Sequence, residues 1–497
     1  MKKQLLLLMM LLSAAASAFA VEVEIDGLWY DVNTETNKAN VIQYKNDVKY
    51  NGGIVIPETV VYEGVTCSVT SIGSSAFYGC SGLTSITIGN SVTSIEREAF
   101  YRCSGLTSVT IGNSVTSIGY NAFFGCSALT SVHISDLSAW CKIIFYEGFD
   151  NPLFYAHHLY LNYQEVTNLV IPEDVTSLND YAFKGCSSLT SVTIPNSVKS
   201  IGKEVFFRCS SLTSVTIGNS VTSIGDYAFG YCLGLTSVTI PNSVMSIGEK
   251  AFYECSSLTS VTIGNSVTLI GNIAFYGCWI ENVLTTNSKT EFSKAFSDRT
   301  YQHAMLYIPE GTWREVVYNS SWYVFNNIRE FTLHSGGVSS SIVYTLMDTK
   351  TFGYAVYDGV SNEVKIVKAF YSIDEQDANN CWMLLTQEGN KYLYNVGARK
   401  YATFSSDGRT MLTANVTPIK VEENDNGFML GADTSRQWAF VKNNNLGDIS
   451  GIAPLTSNAG PSAECYYSIG GQRTSQLQKG LNIVRMSDGT TKKMVIK

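Results

Sequence analysis

The chain has 497 residues, of which 45% are hydrophobic and only 15% charged, and its formal net charge is -8. That length exceeds one compact core, so it implies several domains or a stacked array. The apolar content excludes disorder over most of the chain, and an acidic balance with no basic stripe argues against nucleic acid as a partner.

Met1, Lys2 and Lys3 precede an apolar run from Leu5 to Leu12 and small residues ending Ala18-Phe19-Ala20. Residues 1–20 therefore read as a secretory signal peptide. The run is too short to cross a bilayer, and no later stretch supplies the ~20 apolar residues of a transmembrane segment. The mature chain is expected to begin near Val21 and to be secreted, with residues 21–59 forming an N-terminal cap.

A fixed period follows. Phe77, Phe100 and Phe123 are 23 residues apart, and the step recurs through Phe183, Phe206, Phe229, Phe252 and Phe275. Cys80, Cys103 and Cys126 keep the same time, as do Cys186, Cys209, Cys232, Cys255 and Cys278. A period of this size signals a solenoid. Within one unit, Ile86 and Ile88 alternate with Ser85 and Thr87, as in a strand with aliphatic groups inward and hydroxyls outward. Gly89-Asn90, or Pro195-Asn196 in another coil, supplies turn residues. Val92 and Ile95 begin a second inward segment, and Ala99-Phe100 with Cys103 close the coil. One coil cannot bury this set alone, whereas stacking like on like makes a continuous core.

These residues resemble the BspA-like subclass of bacterial leucine-rich repeats, whose coils carry a leucine, a threonine-rich strand, V-T-S-I, A-F and C. The likeness covers Val60 to Cys278 in eight coils, and Leu306 to Phe331 looks like a degenerate last coil. It implies a mainly β chain with a right-handed leucine-rich-repeat solenoid of 23-residue coils over residues 60–334. It further implies a secreted or surface-exposed protein that binds host or bacterial macromolecules by protein–protein interaction or adhesion. The pattern L-x-x-L-x-L is met by Leu83, Ile86 and Ile88, but Ser91 stands where the general pattern has asparagine, so the eukaryotic horseshoe curvature is not carried over.

Twelve cysteines raise the question of disulfides. Equivalent residues in stacked coils lie ~4.8 Å apart with parallel Cα–Cβ vectors, against the ~3.8 Å between Cβ atoms that a disulfide prefers. A ladder of buried thiols acting as small hydrophobes is expected. No C-x-x-C pair points to zinc.

From Cys126 to Cys186 the step is 60 residues, 37 more than one period. The segment 135–168 that interrupts the array is dense in aromatics, and Trp140, Phe145, Tyr146, Phe149, Tyr155 and His157 form the candidate partner-binding surface. Large rigid rings supply contact area when exposed. The plainer reading makes His157-His158-Leu159-Tyr160-Leu161 the strand of a degenerate extra coil. His157-His158 near Cys141 do not form a convincing metal site, because adjacent residues on a strand point in different directions. Thr87, Thr110, Thr193, Thr216, Thr239 and Thr262 make an outward hydroxyl ladder, which His133 interrupts. No H-E-x-x-H, G-x-S-x-G or P-loop is present, so no catalytic residues, cofactor or metal are expected.

Residues 335–341, rich in Gly and Ser, read as a linker. Alternating runs such as Tyr354-Ala-Val-Tyr357 and Trp382-Met-Leu-Leu385 then predict a separate all-β domain over 342–460. Its phrases Tyr392-Leu-Tyr-Asn-Val-Gly397 and Gln437-Trp438 resemble fragments of ricin-type β-trefoil modules. That likeness implies an alternative function, carbohydrate recognition in this domain with the solenoid as a stalk. Residues 461–497, a short β tail, are similar to C-terminal sorting tails of Bacteroidetes proteins, although Asp488-Gly489 stands where many tails have a glycine-lysine turn.

Overall fold

The computed structural model describes residues 20–45 and 49–332 and, beyond them, strands between Tyr344 and Ile496. Residues 1–19 of the expected leader 1–20, the linker 335–341 and loop residues of the trefoil likeness such as Gly397 and Gln437 lie outside the described residues. The protein is mainly β with 8% helix, and turns of about 23 residues recur about 11 times across residues 71–331. The chain divides into two compact units: residues 1–259, 266–279 and 291–298, and residues 260–265, 280–290 and 299–497.

In the first unit, strands Val21–Ile25, Leu28–Asn33 and Lys38–Val41 form an antiparallel cap. Asp26-Gly27 makes the first hairpin turn, with both residues left-handed at φ 50 and 82, the backbone that a two-residue turn with matching twist requires. Lys38–Val41 then pairs in parallel with Val65–Ile72, so the cap hands an antiparallel arrangement over to a parallel one.

Each regular coil contributes one strand to each of two parallel ladders. Ser71, Ser94 and Ser117 are register partners in one, and Ser85, Ser108 and Ser131 in the other. The aliphatic residues Leu83, Ile86, Ile88, Val92 and Ile95 are buried, as the alternation dictates. The phenylalanines form the spine: Phe77 and Phe100 stack with centroids 5.0 Å apart at 13°, and Phe206 and Phe229 at 5.2 Å and 17°. This offset stacking avoids the repulsive face-to-face overlap of two ring quadrupoles. The spacing matches the strand step, so one repeat length satisfies sheet and rings together.

The periodic cysteines are free and buried. They do more than fill space: Cys103 donates its S–H to the Phe77 carbonyl at 3.0 Å, and Cys232 and Cys255 do the same to Phe206 and Phe229 at 3.2 and 3.1 Å. Burial pushes the Cys126 and Cys186 thiols up to about 12. A second side-chain ladder was not foreseen. Thr107 donates its hydroxyl to the Thr84 carbonyl at 2.9 Å, and Thr213 to Thr190 at 3.1 Å, each carbonyl also receiving the threonine amide. Of the hydroxyl ladder read from the sequence, Thr87, Thr193, Thr216 and Thr239 are exposed and Thr110 is half-buried. Thr262 is a correction: its strand Ser260–Ile263 is buried on both faces, so its hydroxyl is not offered to solvent.

In the second unit, Ser260–Ile263, Asn282–Thr285, Met305–Pro309 and Asn327–Thr332 pair in parallel. Phe331 and Thr332 then pair antiparallel with Val441 and Phe440, and strands from Tyr344–Asp348 through Trp438–Lys442 continue as antiparallel neighbours. Their core gathers Leu346, Trp382, Leu393, Ala402 and Phe440, with the Trp382 indole N–H donating to the Ala355 carbonyl at 2.9 Å. Ala463–Ser468, Arg473–Thr474, Gly480–Met486 and Thr491–Ile496 form a four-stranded antiparallel sheet.

Candidate functional site

The aromatic segment is built as one more coil. Ile144–Phe145 pairs in parallel with Ser117–Ile118, and Leu159–Leu161 with Val132 to Ile134, so each ladder gains a strand. Two short helices replace the tight closing turns. Leu137–Cys141 starts at Asp136, whose carboxylate accepts the Ala139 amide at 3.1 Å, a favoured N-cap arrangement. Leu153–Ala156 ends at His157, which is left-handed at φ 64.

Trp140 and Phe145 correct the sequence reading. They are buried, at 1% and 4% exposure, with ring centroids 5.7 Å apart, and so are removed from the candidate surface. The reason lies in the hydrogen bonds. In regular coils the Phe100 amide donates to the Ala122 carbonyl of the next coil. The equivalent Ala182 carbonyl instead receives the Trp140 indole N–H at 3.0 Å and the Asn151 amide group at 3.1 Å. Likewise the Glu98 amide reaches the Tyr120 carbonyl in a regular coil, whereas Asn121, one period later, donates to the Asp150 carboxylate at 2.6 Å. Side chains thus substitute for the missing main-chain partners. Asp150 is fully buried, and burial pushes its carboxyl up to about 6, against the amides of Glu147 and Asn121 that favour its charge.

Lys184 stands where Tyr101, Phe124 and Phe207 stand in other coils. It is buried, bonds to Glu204 at 2.6 Å, and lies 5.0 Å from the Phe149 ring, 5.1 Å from Phe207 and 5.3 Å from Phe154. Its ammonium is held by ring faces in a cation–π arrangement. Gly148 lies close beside it: a β-carbon there would come about 2.0 Å from the ammonium nitrogen and would displace the lysine head. The cage is filled by the chain's own cation and is closed to an outside one.

The other expected residues are dispersed. Tyr146 is 65% exposed. Phe149, 42% exposed, packs edge-on against Phe154, which in turn meets Tyr155 edge-on. Tyr155 is half-buried, and burial pushes its phenol up to about 12. His157 is exposed, its Nδ1 2.9 Å from the Gly185 carbonyl, while the neighbouring His158 Nδ1 meets Glu165 at 2.6 Å.

A cluster that the candidate set omitted lies on the strand ladder. His133 stacks on Tyr160 at 4.8 Å and 22°, with Tyr163 6.4 Å away. Leu159–Leu161 and Gln164–Glu165 form a hairpin whose tip residues Asn162 and Tyr163 are both left-handed, at φ 51 and 67. Tyr163 is 92% exposed. Burial lowers the His133 pKa from its ordinary value, so the imidazole is neutral at pH 7. The signal was present in the sequence as Asn162-Tyr163 between two strand runs, a position where asparagine marks a tight turn.

The family described as BspA type leucine-rich repeat region matches in six copies over residues 64–150, 156–278 and 222–338. The chain belongs to this family. BspA-type solenoids generally serve protein–protein interaction or adhesion, and such scaffolds are typically non-enzymatic. Among solved structures, this BspA-type chain is similar to a leucine-rich repeat protein from Bacteroides ovatus, at 25% identity over 58% of this chain and 79% of that one, with TM-score 0.36. It is also similar to a leucine-rich cell surface protein from Faecalibacterium prausnitzii, at 24% identity over 62% and 94%, TM-score 0.28. The pneumococcal vaccine antigen PcpA aligns at 16% identity over 63% and 99%, TM-score 0.34. No curated protein matches the chain. Among the described residues no helix is long and apolar enough to cross a membrane.

Proposed function

We propose that this BspA-type chain is a secreted or surface-exposed binding protein that holds a macromolecular partner, by protein–protein interaction or adhesion, on the strand face around His133, Tyr160 and Tyr163. Tyr163 carries the reading. A left-handed backbone costs a residue with a β-carbon about 1 kcal/mol relative to glycine, and a ring that is 92% exposed recovers almost nothing through burial. The position therefore bears a cost to the fold while presenting rigid aromatic area of the kind that anchors interfaces. The neutral His133 stacked beneath adds apolar surface without a charge to desolvate. Tyr146, Phe149 and His157, the accessible members of the expected set, extend the aromatic area of the same coil.

The test is Tyr163→Gly in the full chain, read by thermal melting and on matrix-protein and glycan arrays. Stability is expected to hold or to rise by about 1 kcal/mol as the backbone strain is relieved, while binding to the protein array weakens about tenfold or more. Unchanged binding removes the assignment of this face. Signal on glycans alone overturns the reading of a protein partner.

A further inference from the structure

A second surface lies at the N-terminal end, away from the aromatic coil. Among the described residues, the strand Gly52–Ile56 is the last of its sheet and pairs only with Leu83–Ile88, with Ile54 opposite Ile86 and Val55 opposite Thr87. The Gly89 amide donates to the Ile56 carbonyl at 3.2 Å, which fixes the side of Ile56 that faces the sheet. Because main-chain groups alternate along a strand, Gly53 and Val55 turn their N–H and C=O the other way. Among the described residues no strand takes them up. Val55 is 67% exposed, so the edge is uncovered at its side chain too.

A cavity of about 480 Å³ runs along this edge. Gly53 and Val55 line it together with Glu24, Asp26, Trp29 and Tyr44. The cationic groups nearby are already engaged: Lys45 pairs with Glu22 and lies over the Trp29 ring, and Lys49 donates to the Gly79 carbonyl at 3.0 Å. Glu24 and Asp26 make no ion pair among the described residues, and the Gly79 carbonyl leaves the Lys49 charge uncancelled, so Glu22, Glu24 and Asp26 against Lys45 and Lys49 leave the groove a balance of one negative charge.

We infer that this groove receives an extended peptide segment of another protein that adds as a strand to Gly52–Ile56 and places a lysine or arginine against Glu24 and Asp26. Strand addition supplies main-chain hydrogen bonds, and alternate side chains give selectivity, one set toward Trp29 and Tyr44 and the other toward solvent. Natural edge strands are usually blunted by charge, proline or a covering element, and the Gly53 to Val55 stretch has none of these. A second copy of the chain fits poorly, because joining two such edges brings two pairs of carboxylates together in a protein of net charge -8.

The experiment uses the full chain and a fluorescein-labelled nonapeptide of alternating valine and lysine, followed by anisotropy. Saturable binding is expected, weakened about tenfold by the double change Glu24→Gln and Asp26→Asn. Val55→Pro removes an outward N–H that has no partner among the described residues and is expected to abolish binding with the melting temperature retained. The same peptide N-methylated at alternate amides tests the edge without altering the protein and is expected not to bind in the register whose methyl groups face Val55. Equal binding by an alternating valine–glutamate peptide, binding that survives Val55→Pro, or no binding at all overturns the inference. Self-association abolished by Val55→Pro likewise overturns it, by assigning the edge to a second copy.

Discussion

The regular coils and the coil at 136–167 solve the same problem by different means. Between Phe183 and Phe275 every closing turn is tied to the next by main-chain bonds, such as the Phe206 amide to the Ala228 carbonyl at 2.8 Å, and every phenylalanine stacks on its neighbour. In the aromatic coil the closing turns are helical and out of step, and Trp140, Asp150 and Asn151 complete the bonds with side-chain atoms. Repetition allows one small residue set to serve every coil. Departure from it requires large and polar residues, each specific to its place, and those residues then look in the sequence like a surface.

The largest expected effect separates ring from bond. Trp140→Ala and Phe206→Ala should each cost about 3–5 kcal/mol in chemical denaturation, but Trp140→Phe should still cost about 0.5–1.5 kcal/mol, because the buried Ala182 carbonyl loses one of its two donors and keeps the other. If Trp140→Phe is neutral, the splice depends on packing alone.

Next comes pH. Asp150 titrates near 6 when folded against 3.8 for a free carboxyl, so the folded chain holds this proton more tightly than the unfolded one. Its contribution to stability is full below about pH 4 and is lost as pH rises to about 6, up to about 3 kcal/mol in all. Hydrogen exchange should show protection in 136–167 falling across that window relative to residues 183–275. Asp150→Asn should flatten the difference, and an unchanged slope in the variant would assign the pH dependence to another group.

The smallest effect belongs to the regular coils. Thr213→Val removes the hydroxyl bond to Thr190 but leaves the amide on the same carbonyl. A loss of about 0.5–1 kcal/mol in the melting equilibrium is expected, and the same order should hold at Thr107.

The period of phenylalanine and cysteine was legible because the spine admits only a stacking ring and a small buried group at those places. Eight coils were visible in the sequence, whereas about 11 turns are present. The aromatic coil lacks the A-F and C marks, and the ring that follows Phe275 in the stack is Phe296, 21 residues on. A coil needs inward apolar groups and a ring at the right height, not a fixed spelling. Trp140 and Phe145 misled because aromatic density alone does not reveal which way a ring points. The hydrogen bonds from cysteine and threonine to the preceding coil were hidden for another reason: they arise only when two coils meet, and a single unit shows just a thiol and a hydroxyl.

Oxidation chemistry gives the thiol ladder a meaning beyond packing. Disulfide exchange proceeds through thiolate, and a group titrating near 12, as Cys126 and Cys186 do, supplies about one thiolate in 10⁵ at pH 7. Intact coils are therefore chemically silent toward oxidants, while a coil that opens at once regains ordinary reactivity. Alkylation rates at successive cysteines would thus record, position by position, how often each part of the array breathes.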